Sequence, residues 1–170
     1  VTNSADLLRC GAKAQRIAIL GIGNELNGDD AAGVLVAREL IEKNGGGESW
    51  TDPQKPARYV IEAGAVPEAF TGPLRRFQPD LVILVDAAEL GESPGTVGYF
   101  HWQQAEGMSA STHTLPPTIL AQFLIRDMDC EVFLIGIQPK SLTLDAGVSA
   151  EVRQAARQVI AALQSMVGYV

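Results

Sequence analysis

Uniformly apolar runs alternate along this chain with stretches of helical period. Residues 16–21 (RIAILG) form a run too apolar for a strand with a solvent face. The polar GIGNELNGDD follows as a loop, and residues 31–43 then read as a helix with Val34, Ala37 and Ile41 on one face. Gly45, Gly46 and Gly47 mark its end. Residues 48–57, polar and carrying Pro53 and Pro56, are expected as a surface loop. Residues 58–62 (RYVIE) are a second strand, and 67–77 a short helix interrupted near Gly72 and Pro73. Residues 80–86 (DLVILVD) are a central strand, and 96–102 an edge strand or hairpin arm. A helix over 115–127 has Ile119, Leu120, Phe123 and Leu124 at helical spacing, Thr114 as candidate cap, and Pro116 and Pro117 in its first turn. Residues 131–137 (EVFLIGI) are the last central strand, followed by a loop. Ser149 caps a terminal helix whose buried stripe is Val152, Ala156, Val159, Leu163 and Met166.

This alternation predicts an α/β fold: a single-domain three-layer sandwich with a mostly parallel central sheet of about five strands flanked by helices. Residues 16–170 make up the domain, and 1–15 read as a flexible lead that lacks the apolar core of a signal peptide.

Composition narrows the chemistry. A chain of 170 residues fits one domain and can bury a core without disulfides or structural metal. The formal net charge of −7 argues against a broad nucleic-acid or anionic-membrane surface. No apolar run approaches the roughly 20 residues of a membrane span. Two cysteines, Cys10 and Cys130, cannot make a thiolate zinc site; one disulfide between them is possible on paper, but a reduced, cytoplasmic chain is expected. The sequence has no H-E-x-x-H, G-x-S-x-G or G-x-x-x-x-G-K-[ST], which disfavours a helix-type zinc protease, a nucleophile-elbow hydrolase and a P-loop ATPase. No large apolar surface stripe stands out, so a monomer is expected.

In an open parallel sheet, ligand sites form beyond the carboxyl ends of the strands. Asp29 and Asp30 follow the first strand, Asp86 ends the third, and His113 precedes the helix at 115. Two carboxylates and an imidazole are a sufficient ligand set for a divalent transition metal, with positions left for a partner's groups. On spacing alone other roles stay open: Asp30 could cap a helix, Asp86 could begin a turn, and His113 could be structural. Gly21-Ile22-Gly23-Asn24 resembles a dinucleotide loop in part, but Leu26 stands where the third glycine belongs. A tight turn that lets another chain approach is the better role for these glycines. No activated nucleophile is evident: Cys10 lies in the lead, Cys130 precedes a buried strand, and His101 sits in the edge strand.

Taken in order, GIGNELNGDDAAG, LVILVDA, STHTLP and FLIGIQP resemble the hydrogenase maturation endopeptidases over residues 16–167. The resemblance implies an endopeptidase that removes a C-terminal extension from the precursor of a nickel–iron hydrogenase large subunit after nickel insertion. It places the metal-contacting, catalytic positions on Asp30, Asp86 and His113, with the nickel delivered by the precursor. Asp29 is the supporting neighbour, and Gly23, Asn24, Asp29, Gly64 and Ala65 are the positions implied to face the substrate. Glu62-Ala63-Gly64-Ala65 stands where the family more often reads Asp-Gly-Gly, so Glu62 and Ala63 depart from its pattern. Gln138 matches a recurrent polar position and carries no assigned catalytic role. The alternative is a non-catalytic maturation chaperone that senses nickel or binds a nucleotide.

Overall fold

Strand β1 (Arg16–Ile22) is buried after its first residue, β4 (Leu81–Ala87) throughout, and β6 (Glu131–Ile137) after Glu131. Such strands have no polar face to offer water, so helices must cover both sides. In a computed structural model of the chain, which describes residues 4–46, 49–52, 55–104 and 116–166, this is what happens. Helices α1 (Ser4–Lys13), α2 (Ala32–Lys43) and α5 (Ala150–Met166) cover one face. Leu7, Val36, Leu40, Val159 and Leu163 from these helices meet Ile17, Ile19, Leu81 and Ile83 there. Helices α3 (Thr71–Phe77) and α4 (Pro117–Met128) cover the other. Leu74, Leu120 and Leu124 meet Leu20, Val82 and Leu84 on that side. Each fully buried Ile or Leu contributes about 1.5–3 kcal/mol of transfer free energy. The three-layer α/β sandwich is therefore as the sequence predicts.

The sheet has six strands in the order β2-β3-β1-β4-β6-β5. Here β2 is Ser49–Asp52, β3 is Lys55–Gly64 and β5 is Val97–His101. Strands β3, β1, β4 and β6 are parallel, and the outer two, β2 and β5, pair antiparallel. The extra strand comes from the segment expected as a surface loop: Trp50 pairs with Arg58 and Asp52 with Lys55 in a hairpin at the sheet edge.

Other differences are local. The lead contains α1, an amphipathic helix whose Leu7 is 2% exposed in the core. The 67–77 segment begins as a 3₁₀ turn (Pro67–Phe70) and becomes α3 at Thr71, so Gly72 and Pro73 lie in the first helical turn, where proline costs no hydrogen bond. In α4 the buried file is Leu120, Ala121 and Leu124, while Ile119 and Phe123 face outward. Pro116 occupies the cap position; Thr114 lies outside the described residues. Among the described residues no helix is long and apolar enough to cross a membrane.

Candidate functional site

The site lies beyond the carboxyl ends of β1, β3 and β4. At the end of β1 the chain must turn sharply, and Gly23 allows it: its φ is +139°, and a Cβ there would overlap the carbonyl oxygen of Asp30. The Gly23 N–H donates to the Gly64 carbonyl at 3.0 Å, which joins this turn to the end of β3. Asn24 accepts the Leu26 N–H on its side-chain oxygen at 3.0 Å, an Asx turn. The chain then tightens into a 3₁₀ turn (Gly28–Ala31) before α2.

Asp30 sits inside that turn and is 3% exposed. Its carboxylate does not cap α2; Oδ2 accepts the Asn24 N–H at 3.0 Å, so the acid is held by its own loop. Asp86 lies on β4 in the file of Val82 and Leu84, level with Gly136 of β6, and is 8% exposed. Burial first, and then the negative charge of Asp30 beside it, push the Asp86 carboxyl up to about 8, against the opposing Ala87 N–H. Burial also raises the Asp30 carboxyl, against the Asn24 N–H. Two acids this close and this dry do not ionise independently. A proton or a cation between them would relieve the repulsion, and carboxylate oxygens are donors that a divalent ion can use.

The neighbours explain how this pair is held. Asp29 is 1% exposed. Its oxygens accept the backbone N–H groups of Lys140 (2.8 Å), Ser141 (3.1 Å) and Ser149 (2.6 Å) and the Ser149 hydroxyl (2.9 Å). It thus ties the loop after β1 to the loop after β6 and to the start of α5, where the Ser149 hydroxyl also accepts the Val152 N–H. These donors occupy both oxygens of Asp29, so the structure places it inside the loop contacts and not on the groove expected to face a substrate. Gln138, 4% exposed, braces the loop after Asp86: its Oε1 accepts the Leu90 N–H at 2.7 Å, and its Nε2 donates to Glu89 at 3.1 Å.

Beside the pair lies an open groove of about 430 Å³ lined by Gly23, Asn24, Glu25, Leu26, Val34, Glu62, Gly64 and Ala65. The structure therefore brings together four of the five residues expected to face a substrate: Gly23, Asn24, Gly64 and Ala65. Two further lining residues were not among those five: Glu25, which the sequence does not mark, and Glu62, marked there only as a departure from the family pattern. Glu25 and Glu62 are both bound by Arg38 of α2. These partners stand 13 and 24 residues from Arg38, with no motif to connect them. His113 lies outside the described residues, and among the described residues no group of three or more His, Cys, Asp or Glu side chains is placed to hold a metal ion.

The remaining candidates recede. Cys10 and Cys130 are free thiols that pack on opposite faces of the sheet, and burial pushes both up to about 11. Neither is an activated nucleophile. His101 on β5 sets its ring edge-on to Phe133, with centroids 5.0 Å apart, away from the acid pair.

Comparison with known proteins identifies the family. The family model for hydrogenase maturation proteases matches residues 48–166. A Methanocaldococcus jannaschii relative described as a hydrogenase maturation protease is 34% identical over 82% of this chain and 80% of its own. The hydrogenase 3 maturation protease of Escherichia coli K12 is 28% identical over 88% and 90%. The crystal structure of the NiFe hydrogenase maturation protease HycI from Thermococcus kodakarensis superimposes with a TM-score of 0.80 at 32% identity, covering 95% of this chain and 97% of that one. The chain belongs to the hydrogenase maturation protease family.

Proposed function

We propose that this member of the hydrogenase maturation protease family is an endopeptidase that removes the C-terminal extension of a nickel–iron hydrogenase large-subunit precursor, in the cytoplasm, once nickel is in place. The observation that carries the reading is the buried pair Asp30 and Asp86 beside a groove open to an incoming chain. With Cys10 and Cys130 inert, hydrolysis needs another source of polarisation.

The nickel of the precursor is part of the substrate. Asp30, Asp86 and, on the family pattern, His113 are the residues that would contact it. A divalent ion supplies a Lewis acid for the scissile carbonyl. A carboxylate oxygen of Asp30 or Asp86 accepts a proton from water, the resulting oxygen nucleophile attacks the carbonyl carbon, and the proton passes to the departing amine nitrogen as the C–N bond breaks. One water is consumed for each tail released. In the free chain burial and the charge of Asp30 keep a proton on Asp86; in this reading the precursor's metal takes that proton's place, so the protease stays silent until metal insertion is complete.

The test is cleavage of nickel-loaded precursor by Asp30→Ala and Asp86→Ala variants whose circular dichroism matches wild type. Each should lose at least about a hundredfold in rate. Wild-type rates in both would overturn the proposal. His113→Ala should behave alike; unimpaired cleavage by that variant removes His113 from the ligand set.

A further inference from the structure

We infer that Arg38 is a positioning residue for substrate binding: by spanning Glu25 and Glu62 it sets the width of the groove that receives an extended segment of the client. The guanidinium forks onto Glu25, with Nη1 to Oε1 at 2.6 Å and Nη2 to Oε2 at 3.0 Å. Its other edge reaches Glu62 Oε2, from Nη2 at 2.9 Å and Nε at 3.2 Å. One side chain of α2 therefore clasps the loop after β1 to the end of β3. Both carboxylates line the groove, and Arg38 stands behind them rather than in it.

Two details give the clasp a role beyond stability. Glu25 directly follows Asn24, whose N–H holds the Asp30 carboxylate. Moving that wall would therefore shift the groove relative to the acid pair. Glu62, in turn, stands at the strand end opposite Gly21, and the longer side chain of Glu reaches outward to Arg38. The carboxylate that borders the groove is thereby held by a protein cation instead of being left to the client. The Arg38 side chain is 38% exposed and that of Glu25 55%. Ion pairs this open to solvent add little to folding stability, so their loss should appear in substrate binding and not in melting. A lysine could not replace the clasp, because one ammonium does not reproduce a planar fork across two carboxylates.

This inference rests on the endopeptidase reading above. Its test measures kcat and KM for tail removal from a nickel-loaded hydrogenase large-subunit precursor by the full chain, with calorimetric affinity for the same precursor. In Arg38→Ala, KM and the dissociation constant should each rise about tenfold, with kcat held within about twofold. Melting should stay within about 3 °C of wild type. Arg38→Lys should recover only part of the affinity. An unchanged KM and affinity in Arg38→Ala, with wild type cleaving normally, overturns this inference alone. So does a fall in kcat that tracks a fall in melting temperature. A wild-type chain that cuts no nickel-loaded precursor overturns the endopeptidase reading, and this inference with it.

Discussion

At the scale of single residues, the acid pair was legible and its surroundings were not. Asp30 and Asp86 follow from one rule, that ligands gather at the carboxyl ends of parallel strands. Their sequence positions at the ends of apolar runs suffice to apply it. That Asp30 is not a helix cap could not be read, because the choice depends on the 3₁₀ turn that precedes α2. The family resemblance names Asp29 the supporting neighbour of Asp30, but what Asp29 holds was hidden, since its partners Lys140, Ser141 and Ser149 stand more than 100 residues away. Two predictions belong here. Gly23→Ala places a side chain on the Asp30 carbonyl at a φ that L residues rarely adopt, so it should cost at least about 3 kcal/mol and lower the melting temperature by roughly 6–12 °C. The second concerns pH. The Asp86 carboxyl lies above its unfolded value of 3.8, at about 8. Its contribution to stability is full below 3.8 and is lost as pH rises toward about 8, because the unfolded chain releases the proton first. In metal-free protein, Asp86→Asn should therefore melt above wild type, and the gap should widen from pH 5 to pH 8. A gap that stays constant would contradict the burial and charge assigned to Asp86.

At the scale of elements, the strands with two buried faces were read to within a residue or two, because nothing but a central strand tolerates such runs. Strand β2 was missed for the opposite reason. It is four residues long, pairs on one side only and lies between glycines and prolines, so no periodicity marks it. Helix α1 was masked by its place at the start of the chain, although Leu7 and Gly11 share one face. The face of α4 turned on small residues: Ala121 is buried where Phe123 is not. The loops that build the site share one carboxylate as acceptor. Asp29→Ala leaves the Lys140, Ser141 and Ser149 N–H groups without their acceptor, at a cost of about 3 kcal/mol. Thermal melting should fall by roughly 6–12 °C, and tail removal should weaken with it as Asp30 loses its support. Melting unchanged from wild type would show that these loops are held by something else.

At the scale of the whole molecule, the fold delivers two acids on neighbouring elements, a groove beside them and loops pinned from three sides. The sandwich was legible from hydrophobic alternation, whereas only the family resemblance pointed to Gly23 and Gly64 as groove residues, because Gly23, Glu25, Glu62 and Gly64 meet only once β1 and β3 are paired. The most direct test of this account is the mass of a hydrogenase large-subunit precursor after incubation with the purified chain, nickel-loaded in one sample and nickel-free in the other. Loss of the C-terminal tail from the nickel-loaded precursor alone is the predicted result. Equal cleavage of both forms, or a stable complex with intact nickel-loaded precursor, would contradict it.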